Sequence, residues 1–420
     1  MKVSAEKLKT LVLCGLTIVM AWYLGSSQVI PQNTYRGMTA LSLDSSMIIV
    51  LLYLFCFVGV YLLSDLKTPE GILCGLFLFY AAIFFLFFSS VSGYTDAYLV
   101  AVGGGLILAP LFFLVMCSRL LNINFGLRLF AKGFFRLRVE IVISAVLIPT
   151  AVWMYQTMGA SLSFIDSYDR RLLSREAVPT TLGYIFAMSL NGLSPLLAFL
   201  AVYNQKSWFL LVSIAFAFVG FVCVGSKAPI LYVLLLAMLG FYLLRGGFQI
   251  VLVFVGMMAF VVFLALIEFL VFDYSWIADI FVRRAIFVTP QVQMYTLDFL
   301  FSGQQTLYAL IAGVSGDTPV TYLVGEIYLG DEEANANTIS FLTEIGRHGM
   351  IGYFLNIIFL LAIFRLLSHL YKVSNHGVWL AIATLYGLLL LEQSYATAFV
   401  TSGVGACIII PCLFRYTKRF

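Results

Sequence analysis

Apolar runs long enough to cross a lipid bilayer recur from one end of this chain to the other. They fall near residues 9–29, 46–64, 71–90, 98–118, 139–157, 181–203, 208–224, 229–244, 249–271, 349–368, 378–396 and 400–415. A transmembrane helix takes about 20 apolar residues, so twelve of them use roughly 240 of the 420 positions. That share fits a chain that is 62% hydrophobic and 10% charged, which leaves too little polar surface to face water. The expectation is an all-α polytopic integral membrane protein with about twelve transmembrane helices. No soluble domain of ordinary size remains.

Orientation follows from charge. The first run follows Lys2, Lys7 and Lys9 and lacks a small-x-small exit, so it reads as a retained anchor rather than a cleaved signal. With both termini cytoplasmic, 16 of the 24 Lys and Arg residues lie on the cytoplasmic side, as the positive-inside rule requires. Acidic residues run the other way, with only Glu6, Asp65, Glu70 and Glu140 inside or at its edge. The net charge of +4 therefore reflects topology and not a nucleic-acid partner.

All seven cysteines fall within apolar runs, with no CxxC and no Cys–His cluster, which argues against disulfides and zinc. No phosphate-binding GxxxxGK[ST] loop is present, so cytoplasmic ATP is not an expected substrate. No cofactor or metal is expected.

The polar chain is spent unevenly. Residues 119–140 form a basic, amphipathic stretch suited to an anionic inner leaflet. Outside lie a smaller loop, 158–180, and a large one, 272–348, between the ninth and tenth spans. Three regions result: spans one to nine within 1–271, the large extracytoplasmic loop 272–348, and spans ten to twelve within 349–420. The large loop is rich in aromatic and aliphatic residues, which predicts short interfacial helices at 275–288 and at 290–301, the latter with Pro290 in its first turn. Residues 313–338 carry the Gly, Asp, Asn and Pro of turns and read as a lid.

Candidate functional residues cluster on the outer side. Glu344, Arg347 and His348 stand at i, i+3 and i+4, so on a helix they share a face, and Gly346, Gly349 and Gly352 give that helix a smooth strip. An interfacial salt bridge that only caps the tenth span explains the same spacing. Arg283 and Arg284 sit in an otherwise apolar run, where burial is costly unless an anion meets them. Adjacent helical side chains diverge, so both grip one ligand only if it is large or the helix irregular, and one of them can pair with Asp279. Arg171 and Arg175, at i and i+4, make a clamp for phosphate oxygens, although Asp166, Asp169 and Glu176 are close enough to neutralise part of this loop. Lys227 lies at the outer end of two apolar runs with no carboxylate near it in sequence, which points to an anion. Glu392 and Glu268 lie near the outer ends of their spans and are candidates by that position, Glu268 more as an arginine partner.

Three segments, GSKAP at 225–229, RRAIFVTPQ at 283–291 and NTISFLTEIGRHGMIGYF at 337–354, together with the span layout, make the chain resemble the Wzy-type O-antigen or oligosaccharide repeat unit polymerases. The resemblance implies a GT-C-like membrane glycosyltransferase of the bacterial cytoplasmic (inner) membrane with a periplasmic active face. Donor and acceptor would both be oligosaccharides on undecaprenyl diphosphate, with membrane lipids, a chain-length regulator and a flippase as further partners. It further implies metal-independent transfer with inversion. Arg171, Arg175, Lys227, Arg283, Arg284 and Arg347 would stabilise the departing diphosphate, and Glu344 or His348 would take the proton of the acceptor hydroxyl. O-antigen ligases share this layout and differ in acceptor. A lipid-linked oligosaccharide flippase is a third reading, but it calls for two related halves with charges lining the spans at mid-depth.

Overall fold

The computed structural model describes residues 5–43, 47–94, 96–120, 134–161, 170, 179–247, 249–303, 305–316 and 318–416. In chain order the principal elements are α1 (Ala5–Leu24), α2 (Met47–Leu63), α3 (Pro69–Phe77), α4 (Phe84–Phe88), α5 (Ala97–Leu120), β1 (Phe135–Arg138), α6 (Val139–Met158), α7 (Thr180–Met188), α8 (Ser194–Tyr203), α9 (Ser207–Val224), α10 (Ala228–Leu244), α11 (Ile250–Phe272), α12 (Thr289–Phe301), α13 (Leu307–Ala312), α14 (Val320–Leu329), α15 (Ser340–Ser374), α16 (Val378–Leu390), α17 (Val404–Leu413) and β2 (Phe414–Arg415).

The chain is an all-α, multi-pass membrane protein. Apolar segments without water to solvate their backbone satisfy their N–H and C=O groups internally, and the helix is the local way to do so. Eight helical stretches among the described residues are long and apolar enough to cross a membrane: Ala5–Gln32, Pro69–Ser92, Ala97–Ser118, Val139–Met158, Thr181–Tyr203, Ser207–Val224, Ile250–Phe272 and Ser340–Ser374. The apolar runs predicted at 46–64, 229–244, 378–396 and 400–415 form shorter helices, α2, α10, α16 and α17. Proline sits in the first turn of α3, α8, α10 and α12, where its missing N–H costs no helical hydrogen bond. Thr68 caps α3 by accepting the Gly71 N–H at 3.2 Å.

Two compact units divide the chain. The first comprises Met1–Asn122, Gln249–Ile363 and Leu390–Ser394, and the second Ile123–Phe248, Phe364–Leu389 and Tyr395–Phe420. These boundaries cut across the three segments read from the sequence, because helices distant in the chain pack together. In the first unit, α1 packs on α11, and a core of Ala21, Leu24, Phe84, Phe88, Val262, Ala265, Val282, Ile286 and Phe287 joins them to the helix at 278–288. Burying such side chains stabilises by about 25 cal/mol per Å² of apolar surface in water; between lipid-facing helices, close packing carries more of the burden. In the second unit Ala198, Ala217 and Val233 bring α8, α9 and α10 together through small side chains.

One expectation about local structure lies largely outside the described residues, and another needs correction. Within the basic stretch 119–140, residues 135–138 form β1, paired in parallel with β2, and residues 121–133 lie outside the described set. The segment 290–301 is helical with Pro290 in its first turn, but α12 is buried from Pro290 to Leu300 inside the first unit instead of lying on a surface. Its apolar residues are too evenly distributed around the helix for one face to rest on lipid and the other in water.

Candidate functional site

The first unit builds its polar centre around an irregular helix. Ala278–Val288 winds as a π-helix, wider than an α-helix, and continues into α12. Glu268 starts it: its carboxylate accepts the Ser275 hydroxyl at 2.7 Å and the Ile277 N–H at 3.0 Å, so it caps a helix and does not pair with an arginine as expected. Gln28 fixes the same corner, its buried amide donating to Ser275 O and accepting from Ser275 N, each at 2.8 Å.

Arg283 is buried, with a side chain only 10% exposed, and its Nε donates to Asp279 Oδ1 at 3.0 Å and to Asp279 O at 2.9 Å. The Asp279 pairing is the one the spacing allowed. Arg284, next in the chain, is exposed. Burial first, and then the charges of Arg36 and Arg284, hold the Arg283 guanidinium below its ordinary value, with Asp279 opposing them. The exposed Arg36 and Arg284 thus lie within electrostatic reach of the buried, ion-paired Arg283.

Arg36 was not singled out in the sequence. It sits at the end of a short turn, Thr34–Arg36, and Gln291 Nε2 donates to its carbonyl at 3.0 Å across 255 residues. Gly37 follows at φ 74°, where a Cβ would stand 2.8 Å from the Tyr295 hydroxyl, so only glycine lets the turn close on α12. The Arg36 guanidinium lies over the Tyr35 ring, 5.1 Å from its centroid. The legible signal was a lone arginine followed by glycine in the connection after the first span, NTYRGM.

Along α12 from Gln291 an aromatic group follows. Gln291 Nε2 donates to the Tyr295 hydroxyl at 2.8 Å. Tyr295 stacks on Tyr328 of α14 at 4.9 Å between centroids, and Tyr94 meets both edge-on at 5.8 and 5.5 Å. The Tyr328 hydroxyl donates to Asp298 Oδ2 at 2.6 Å. Burial and the adjacent Asp298 carboxylate hold the Tyr328 phenol well above its ordinary range, so it remains a donor.

A second polar group forms where α15 begins. Glu344 is 2% exposed, and its carboxylate is hydrogen-bonded to the Ser394 hydroxyl, which also accepts Arg347 Nη1 at 3.3 Å. Glu344 and Arg347 therefore meet through Ser394 and not as a direct ion pair. Ser394 went unnoticed in LEQSYA, where Glu392 drew attention; Glu392 is exposed two residues away. His348, at i+4 from Glu344, is exposed where Glu344 is buried, and the helix breaks at once after it. Gly349 adopts φ 63°, ψ −159°, and a Cβ there would lie 2.2 Å from the Ile311 carbonyl. The glycine strip receives Ile311, Val314 and Val320: Val314 N donates to Gly346 O at 3.0 Å, Val320 lies against Gly346 and the Ile311 backbone against Gly349.

The second unit holds Lys227, and also Arg170, which the sequence did not single out. Lys227 is exposed at the N-cap of α10. Arg170 is bound to backbone, with Nη1 donating to Ser161 O and to Val222 O. Arg171 and Arg175 lie outside the described residues. Among the described residues no group of three His, Cys, Asp or Glu side chains is arranged to hold a metal ion.

A cluster of guanidiniums at a membrane protein's polar centre can bind an anion, and a buried carboxylate linked to a hydroxyl and an arginine can take a proton. Compared with protein-family models, with curated proteins and with solved structures, the chain matches none of them.

Proposed function

We propose that this protein is a twelve-span, GT-C-like glycosyltransferase that polymerises oligosaccharide repeat units carried on undecaprenyl diphosphate, at the periplasmic face of a bacterial inner membrane with both termini cytoplasmic. The observation that carries the reading is the buried Arg283, ion-paired among the described residues to Asp279 alone, with the exposed Arg36 and Arg284 within electrostatic reach of it. Like charges held together at a cost are repaid by a multivalent anion, and a lipid diphosphate is such an anion in a membrane.

The chemistry needs no metal. An acceptor sugar hydroxyl attacks the anomeric carbon of the donor glycan, the bond from that carbon to the diphosphate oxygen breaks, and the bonding pair leaves with the undecaprenyl diphosphate. Arg347, linked to Glu344 through Ser394, stabilises the charge developing on the departing diphosphate, while Arg36, Arg283 and Arg284 hold the second lipid diphosphate, that of the acceptor. The hydroxyl proton passes to a base, for which Glu344, fixed by Ser394 beside Arg347, is the leading nominee and the exposed His348 the second. Direct displacement inverts the anomeric centre.

The experiment is reconstitution of the purified protein with diphospholipid-linked repeat units alone. A ladder of longer lipid-linked glycans supports polymerisation. Transfer that requires a lipid A core acceptor identifies a ligase, and movement of lipid-linked sugars across the bilayer without new bonds identifies a flippase.

A further inference from the structure

Between the two polar groups of the first unit lies a surface that neither the anion cluster nor the proposed base uses. Its members are Tyr94, Tyr328 and Asp298, with Tyr295 behind them. Tyr94 is 38% exposed, whereas Tyr295 is 2% exposed and Asp298 8%. Tyr295 and Tyr328 cover one another's faces, so the open aromatic surface belongs to Tyr94 and the outer side of Tyr328. Asp298 Oδ2 accepts from Tyr328; Oδ1 accepts no hydrogen bond from any described residue. An ionised carboxylate has acceptor capacity for several donors and is costly to leave half-satisfied near apolar groups.

Connectivity places this surface. Gln291 holds Arg36 and also contacts Tyr295, and from Gln291 to Asp298 α12 advances about 10 Å. In the other direction Tyr328 lies near the end of α14, whose first residue, Val320, packs on Gly346 between Glu344 and Arg347; α14 rises about 12 Å from Val320 to Tyr328. The aromatic surface therefore stands between the anion cluster and the carboxylate, a few sugar rings from each.

We infer that Tyr94, Tyr328 and Asp298 form a pyranose-binding subsite, which holds the sugars of a lipid-linked acceptor whose diphosphate rests at Arg36, Arg283 and Arg284. Aromatic rings receive the C–H faces of a sugar, and a carboxylate with a free oxygen receives two of its hydroxyls; the combination favours a neutral sugar over an anionic one. A second consequence follows: the acceptor's far hydroxyl is delivered toward Glu344, one short glycan away from its own diphosphate. The inference rests on the polymerase reading.

The test uses the full-length protein in nanodiscs and saturation-transfer difference NMR with glucose, galactose, rhamnose and N-acetylglucosamine, and separately measures inorganic pyrophosphate binding. At least one sugar is expected to receive saturation. Tyr94→Ala and Asp298→Asn should each lower that transfer about five-fold or more while pyrophosphate binding is unchanged. Arg284→Ala should do the reverse. If no sugar receives saturation, or if both subsite variants retain it while pyrophosphate still binds, the subsite is refuted and the polymerase reading stands. If pyrophosphate binding is absent in the wild type, or is present but unchanged by Arg284→Ala, both fall together.

Discussion

Gln291 reaches across 255 residues to hold the carbonyl of Arg36, donating from Nε2 at 3.0 Å. One buried amide thus brings the turn that carries Arg36 against the helix that continues the π-helix. The net value of such a bond is about 1 kcal/mol, small for stability, but it fixes the backbone from which the Arg36 side chain extends.

Gln291→Leu should therefore cost about 1–2 kcal/mol of stability by thermal unfolding in detergent. Polymer yield or pyrophosphate affinity should fall by much more than that loss accounts for. Equal losses in both would mean that Arg36 is a passive surface residue.

Arg284→Ala removes an exposed charge and should leave insertion and thermal stability unchanged while long glycan chains disappear. Arg283→Ala should also abolish them, and in addition lower the unfolding temperature, because Asp279 loses its partner. Breaking a buried pair on one side costs about 3–5 kcal/mol, and this half-buried pair should fall below that range. Normal chain lengths in both variants would exclude the cluster from function.

Glu344→Gln keeps shape and removes the capacity to accept a proton, so product should be lost with the protein still folded. Ser394→Ala should give a partial defect, about ten- to a hundred-fold in rate, since it leaves the carboxylate but releases its link to Arg347. Wild-type rates for Glu344→Gln would transfer the role of base to His348, which His348→Ala then checks.

Gly349→Ala tests the break in α15. Its φ of 63° and ψ of −159° belong to a region that side chains avoid at a cost of about 1–3 kcal/mol, and the added Cβ would strike the Ile311 carbonyl. A drop in unfolding temperature with lost activity is expected. An unperturbed variant would show that residues 311–320 need not dock there.

Much of this fold was legible because apolar runs and their flanking charges are local properties. The helices at 275–288 and 290–301 and the pairing of Asp279 with Arg283 could be read from spacing. What escaped was long-range. Nothing local in NTYRGM says that Arg36 meets Gln291, and LEQSYA gives no sign that Ser394, not Glu392, bridges Glu344 and Arg347. The GxxGxxG spacing at Gly346, Gly349 and Gly352 looked like a helix-packing strip, but positive φ at Gly349 made it a break, which composition alone does not encode. The aromatic group escaped for the same reason, since Tyr94, Tyr295 and Tyr328 are far apart in the chain.

The most direct measurement is native mass spectrometry of the full-length protein with undecaprenyl diphosphate, set against undecaprenol at equal concentration. Bound diphospholipid that survives in the wild type, falls in Arg284→Ala and vanishes in an Arg36→Ala, Arg284→Ala double variant is the predicted result. Equal retention of the diphosphate and the alcohol, unchanged by both substitutions, would contradict the account.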